Sequence, residues 1–153
     1  MSFRITGLPA EHFAPLFAMS QEELAARGAI RQITGEQNLP CRISLTDAHR
    51  GDEVLLLNYE HHAVDSPYRM RYAIYVREGE LTYDAVDQVP EQLRSRTLAV
   101  RGFDDKAMMV GYEIVEGRAL EAAIERLLGD QRAAYLHVHY AAAGCYAARV
   151  ERA

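Results

Sequence analysis

The chain has 153 residues, 49% of them hydrophobic, which excludes a disordered chain and suits one domain, residues 1–153, with a sizeable core. Its formal net charge is −5 and its basic residues are scattered, so the stripe that nucleic-acid binding uses is missing and nucleic acid is not expected as a partner. No apolar run approaches the roughly 20 residues that span a bilayer, and no secretory leader pattern opens the chain, so no membrane partner and a cytoplasmic location are expected.

The chain begins with FRITGL, residues 3–8, whose alternation predicts a strand. Pro9 and Pro15 interrupt the next segment, leaving one helical turn near Glu11 and another from Pro15. Ser20 and Glu23 have the spacing of a capping box for a helix from Gln21 to about Arg27, with Gly28 ending it. AIRQIT (29–34) and CRISL (41–45) read as strands, separated by the loop GEQNLP. EVLLLNYE (53–60) is the strongest strand, and its continuous apolar run predicts a central position covered on both faces.

A loop from His61 to Pro67 leads to a second long strand, YRMRYAIYVRE (68–78). A helical turn is expected near Pro90–Arg94. TLAVRGF (97–103) and AMMVGYEIV (107–115) then pair as strands through the turn Asp104-Asp105-Lys106. After Gly117, residues Leu120, Ala123, Ile124, Leu127 and Leu128 recur on one face of a helix that Gly129 stops. AYLHVHYA and GCYAARVER are the last two strands. Together these elements predict an α+β fold: a mixed, mainly antiparallel sheet with a few helices.

Chemistry concentrates in LLLNYEHHAVDSPYR, residues 55–69, where an apolar strand runs into many hydrogen-bonding side chains. A packed core gains nothing from such a set, so it marks either a solvated loop or a polar ligand site. In an ideal strand Asn58, Glu60 and His62 share one face, and Leu57, Tyr59 and His61 the other. Further on, His137 and His139 share one strand face, with Leu136, Val138 and Tyr140 opposite. The pair could ligate a metal with His61, His62 or Glu60 as third ligand, or simply sit on a solvated or hydrogen-bonded sheet face. The sequence does not name a metal or cofactor.

Two cysteines, Cys41 and Cys145, exclude a disulfide framework and a four-cysteine zinc site. Cys41 precedes Arg42, and a guanidinium can raise the thiolate fraction of a neighbouring thiol. Free cysteine is, equally, among the most buried residue types. No glycine-rich phosphate loop, nucleophile elbow or H-E-x-x-H helix is present.

Several segments in order, FRITGLPAEHFAPLF, PCRISLTDA, LLLNYEHHAVDSPYR, IYVREG and YLHVHYAAAGCYAARVERA, resemble the bacterial domain-of-unknown-function family 1203 along essentially the whole chain. The resemblance implies a complete single-domain protein and brings no activity or catalytic residue with it.

Three readings stand at this point. The first is a small polar or anionic ligand held by Arg42, Asn58, Tyr59, Tyr68 and Arg69, with His61 or His137 moving a proton. The second is an enzyme, dependent either on the Cys41 thiol or on a metal at His137 and His139. The third is a homodimeric interaction module using the apolar Met108-Met109-Val110 segment.

Overall fold

A computed structural model describes residues 1–153. Eleven strands and three α-helices form: β1 (Phe3–Thr6), α1 (Gln21–Ala26), β2 (Ala29–Ile33), β3 (Leu39–Pro40), β4 (Asp47–Ala48), β5 (Glu53–His62), β6 (Met70–Val76), β7 (Asp84–Val86), α2 (Glu91–Arg94), β8 (Thr97–Phe103), β9 (Met109–Glu116), α3 (Leu120–Gly129), β10 (Tyr135–Tyr140) and β11 (Tyr146–Arg152). This is the expected α+β arrangement, with every strand pairing antiparallel. No helix is long and apolar enough to cross a membrane.

The strands form a six-stranded sheet in the order β7-β1-β11-β10-β8-β9, a three-stranded sheet β2-β5-β6 and the small pair β3-β4. Helix α3 lays Leu120, Ile124 and Leu128 on one face of the large sheet, against Leu98, Val100, Leu136, Val138 and Val150. Tyr146 on the opposite face packs with Leu55, Leu57, Ile74 and Val76 of the smaller sheet. The large sheet is thus sandwiched between a helix and a second sheet. Strand β10 is buried along its whole length, with two different surroundings.

Local chemistry accounts for most element boundaries. The Ser20 hydroxyl accepts from the Glu23 amide at 3.1 Å and the Glu23 carboxylate accepts from the Ser20 amide at 3.2 Å, closing the capping box at the start of α1. Two 3-10 turns, Ala10–His12 and Ala14–Ala18, lie where the prolines forbid a longer helix. Strand β9 starts only at Met109, because the Asp104 carboxylate gathers the amides of Lys106 and Met108 and Ala107 turns with φ 59°.

Residues 41–45 depart from expectation. They are not a regular strand, because their backbone groups are divided among several segments. The Arg42 amide donates to Tyr75, the Arg42 carbonyl accepts from Leu8, and the Ile43 carbonyl accepts from Tyr83. Leu45 adopts φ 53°, which turns the chain toward β4. Gly7 admits this crossing, since a Cβ there would collide with the Ile43 carbonyl oxygen. The short strand β7, Asp84–Val86 beside β1, carries too few residues for alternation to reveal it.

Strand β5 is central in its sheet, as expected, but it runs on to His62. Its pairing with β6 steps from Tyr59↔Tyr72 to His62↔Met70, so a bulge interrupts the register there. An extra residue in one strand breaks the two-residue repeat of side-chain direction.

Candidate functional site: a histidine cluster between the sheets

The bulge has a direct consequence for the consecutive histidines. In regular alternation His61 and His62 face opposite ways, yet here both rings turn to the large sheet and meet His137. Their ring centroids lie 6.1 and 4.7 Å from that of His137. His139 completes the group at 5.4 Å from His61. The expectation that His137 and His139 share one face is met: Leu136, Val138 and Tyr140 point into the α3 core instead.

Register sets the neighbours of His137. On β8 it faces Arg101 and on β11 it faces Arg149, giving an Arg-His-Arg row across three strands. Arg149 is occupied, since it pairs with Glu151 at 2.6 Å and lies 3.9 Å above the Tyr135 ring. Arg101 is different. It is half-buried, and its one side-chain hydrogen bond is a weak one to the Met70 sulfur at 3.7 Å. Burial pushes its pKa down, with no carboxylate pushing back.

The four imidazoles differ in what occupies their nitrogens. His62 lies between the Tyr68 carbonyl, 2.9 Å from Nδ1, and the Tyr135 hydroxyl, 2.6 Å from Nε2. His139 has Nδ1 3.0 Å from the Gly144 carbonyl. His137 meets the rings of His61, His62, Phe103, Tyr135 and Tyr146 without hydrogen-bonding to them. His61 stacks on Tyr146 at 4.9 Å, and both of its ring nitrogens are buried without a hydrogen-bond partner. The Tyr59 carbonyl acts on it without meeting hydrogen-bond geometry.

Burial is the main reason these rings are neutral. It pushes His61 down to about 4, His139 to about 3 and His137 to about 2, with neighbouring histidines and arginines adding to the effect. His62 is lowered for the same first reason. These side chains enclose a cavity of about 160 Å³, whose wall also includes Arg101, Phe103 and Met70. Residues 67–69 form part of its rim, next to Ser66, whose hydroxyl donates to the Ala107 carbonyl at 3.0 Å.

Of the residues singled out from sequence, His61, His62, His137, His139, Tyr68 and Arg69 come together here. Arg69 pairs with Glu60 at 2.8 Å and Tyr68 packs its ring against Phe103. The others lie elsewhere. Asn58 is exposed and accepts from Arg71. Tyr59 packs on Phe13, with its hydroxyl 3.3 Å from His12 Nδ1.

Cys41 is fully buried beside the Leu39 carbonyl, and burial with the nearby Glu80 pushes its thiol up to about 12. It therefore lacks the accessibility and thiolate character that a thiol enzyme needs. Arg42 is 1% exposed and spends its donors on the Tyr146 carbonyl at 2.6 Å, the Pro40 carbonyl and the Cys145 sulfur. No three His, Cys, Asp or Glu side chains converge in a geometry that could hold a metal ion, so the His137–His139 pair has no third ligand in place. The segment proposed for dimerisation exposes Met108, while Met109 and Val110 are half-buried.

A larger cavity of about 540 Å³ lies beside Arg42, Leu56, Tyr72 and Cys145. Its cations are already engaged: Arg42 as above, and Arg96 by Asp47 at 2.9 Å. It makes no unmet electrostatic demand, whereas the smaller histidine pocket does.

Arg101 was not among the residues singled out, because it lies in an apolar run that reads as a plain core strand. The signal was its parity: it alternates with Ala99 and Phe103, away from Leu98 and Val100, which face the core. No curated protein and no solved structure matches this chain. A family model does, over residues 38–152, a span that holds every strand bearing the histidine cluster. The chain belongs to the family described as Protein of unknown function (DUF1203).

Proposed function

We propose that this protein binds a small anionic metabolite in the histidine pocket, with Arg101 as the anchor. One observation carries the reading: a half-buried guanidinium without a carboxylate partner, in a cavity where His61 also keeps both ring nitrogens unpartnered. A buried charge is costly unless it is paired, and an anion would pair it. A carboxylate or similar oxyanion suits the planar donors of arginine, and neutral imidazoles can donate to its remaining lone pairs. The cavity of about 160 Å³ is well under the roughly 300–1,000 Å³ of drug-sized sites, so the ligand has only a handful of heavy atoms.

The reading includes a single domain, since β1 lies outside the family match yet pairs residue by residue with β11 inside it. A cytoplasmic location agrees with two buried free cysteines. Isothermal titration with formate, acetate and inorganic phosphate tests the site. At least one of these should bind the wild-type protein and lose about tenfold or more in affinity in Arg101→Met, the scale of a hydrogen bond to a charged group. If all three fail to bind the wild-type protein, the reading is wrong.

A further inference from the structure

Hydrogen bonds fix the tautomers of half the cluster, and the assignment singles out one nitrogen. A neutral imidazole has one donor and one acceptor nitrogen. His62 faces a carbonyl at Nδ1, so Nδ1 donates and Nε2 accepts from the Tyr135 hydroxyl. It has nothing left to offer. His139 faces the Gly144 carbonyl at Nδ1, so Nδ1 donates there and the lone pair is on Nε2, in a side chain that lines the cavity.

We infer that a small carboxylic acid is taken into this pocket together with its proton, the carboxylate resting on Arg101 and the proton on Nε2 of His139. The inference rests on the anion-binding reading above. The exchange balances: the acid's O–H bond breaks, an N–H bond forms at His139, and the carboxylate and imidazolium remain as an ion pair.

His139 is the acceptor because its cation can give one N–H to the Gly144 carbonyl and the other to the carboxylate in the cavity. A cation at His61 would leave an N–H group buried without an acceptor, which is costly, and His137 has no protein acceptor to hold a second N–H. One at His62 would have the Tyr135 hydroxyl turn round to accept, with both N–H groups spent on the protein and none left for the carboxylate.

The charges facing the pocket agree. From β5 come His61 and His62, and from β10 His137 and Tyr135, all neutral near pH 7. From β11 come Tyr146 and Arg149, the latter balanced by Glu151, and from the rim Tyr68 and Arg69, the latter balanced by Glu60. Arg101 on β8 is the one unbalanced charge. In the empty pocket, burial together with Arg101 and the neighbouring histidines keeps His139 unprotonated, against the pull of the Gly144 carbonyl. A carboxylate on Arg101 cancels that positive charge and adds a negative one beside the ring.

Acetate titrated calorimetrically in a set of cationic buffers of differing ionisation enthalpy counts the proton. At about pH 6, where free acetate is ionised, the heat should vary with buffer enthalpy by a slope of about one proton taken up per acetate. His139→Asn keeps a donor for Gly144 and should bind acetate more weakly, with no uptake. Acetate binding with a slope below about half a proton overturns proton uptake and leaves the anion pocket standing. No acetate binding to the wild-type protein overturns the inference, and failure of formate and phosphate as well sinks the pocket itself. Should His139→Asn not fold, nitrogen NMR of labelled histidines in the wild-type protein decides. His139 Nε2 should move to its imidazolium position on acetate saturation, and a ring that stays neutral refutes the assignment.

Discussion

Two arginines without a carboxylate partner border different cavities, and they do opposite things. Arg42 is sealed from solvent, and its guanidinium is met by two backbone carbonyls, the Cys145 sulfur and the Tyr140 ring 4.9 Å away. Arg101 is more open and has little beyond the Met70 sulfur. The first is a structural clamp that fastens the irregular 41–45 segment to β11. The second is a cation held ready. Burial alone does not separate these roles; what separates them is whether the donors already have acceptors.

Breaking the clamp should have the largest effect. Arg42→Ala leaves the Pro40 and Tyr146 carbonyls without their donor, and about 3–5 kcal/mol of stability should be lost, read from urea unfolding. A loss under about 1 kcal/mol would mean that solvent or the Cys145 side replaces the guanidinium, and the contrast with Arg101 would shrink.

Acid should act on the other side. His61, His137 and His139 have folded pKa values of about 4, about 2 and about 3, against 6.5 for a free imidazole. Above 6.5 these rings are neutral in both states and contribute no proton linkage. Below it the unfolded chain takes up protons that the folded chain refuses, so stability falls as pH falls toward the folded values. The expected loss is roughly 2 kcal/mol between neutral pH and about pH 6, measured by urea titration at each pH. A flat profile would mean that the rings are already protonated or solvated, and the idea of a neutral cluster around Arg101 would fail.

The smallest effect is the sharpest test of the comparison. Arg101→Met removes a charge that no protein group needs, so stability should change by no more than about 0.5 kcal/mol in either direction. If it matches the cost of Arg42→Ala, the two arginines are both architectural and the pocket loses its anchor.

Much of the fold was legible because it follows from local rules. The Ser20–Glu23 box, the 97–103 strand, the α3 stripe and the shared face of His137 and His139 all depend on residues a few positions apart. The 41–45 segment was not legible, because its hydrogen bonds go to Leu8, Tyr75 and Tyr83, partners far away in sequence. The site was half legible. Residues 55–69 announced a polar cluster, yet strict alternation separated His61 from His62, and only the register step against β6 reunites them. Arg101 stayed hidden because its significance lies in lacking a partner, which no local pattern records.

The step after Tyr59 also ties the chemistry to chain length. Removing Glu60, which lies between Tyr59 and the histidine pair, would let β5 and β6 pair without interruption while all four histidines stayed in the chain. One of the two adjacent histidines would then rotate out to solvent and the cluster would lose a member. Substitutions can only tune this pocket, whereas a single deleted codon in β5 would dismantle it. Where related chains carry insertions or gaps in this strand, the number of residues between the tyrosine and the second histidine is what tells a pocket from a plain sheet.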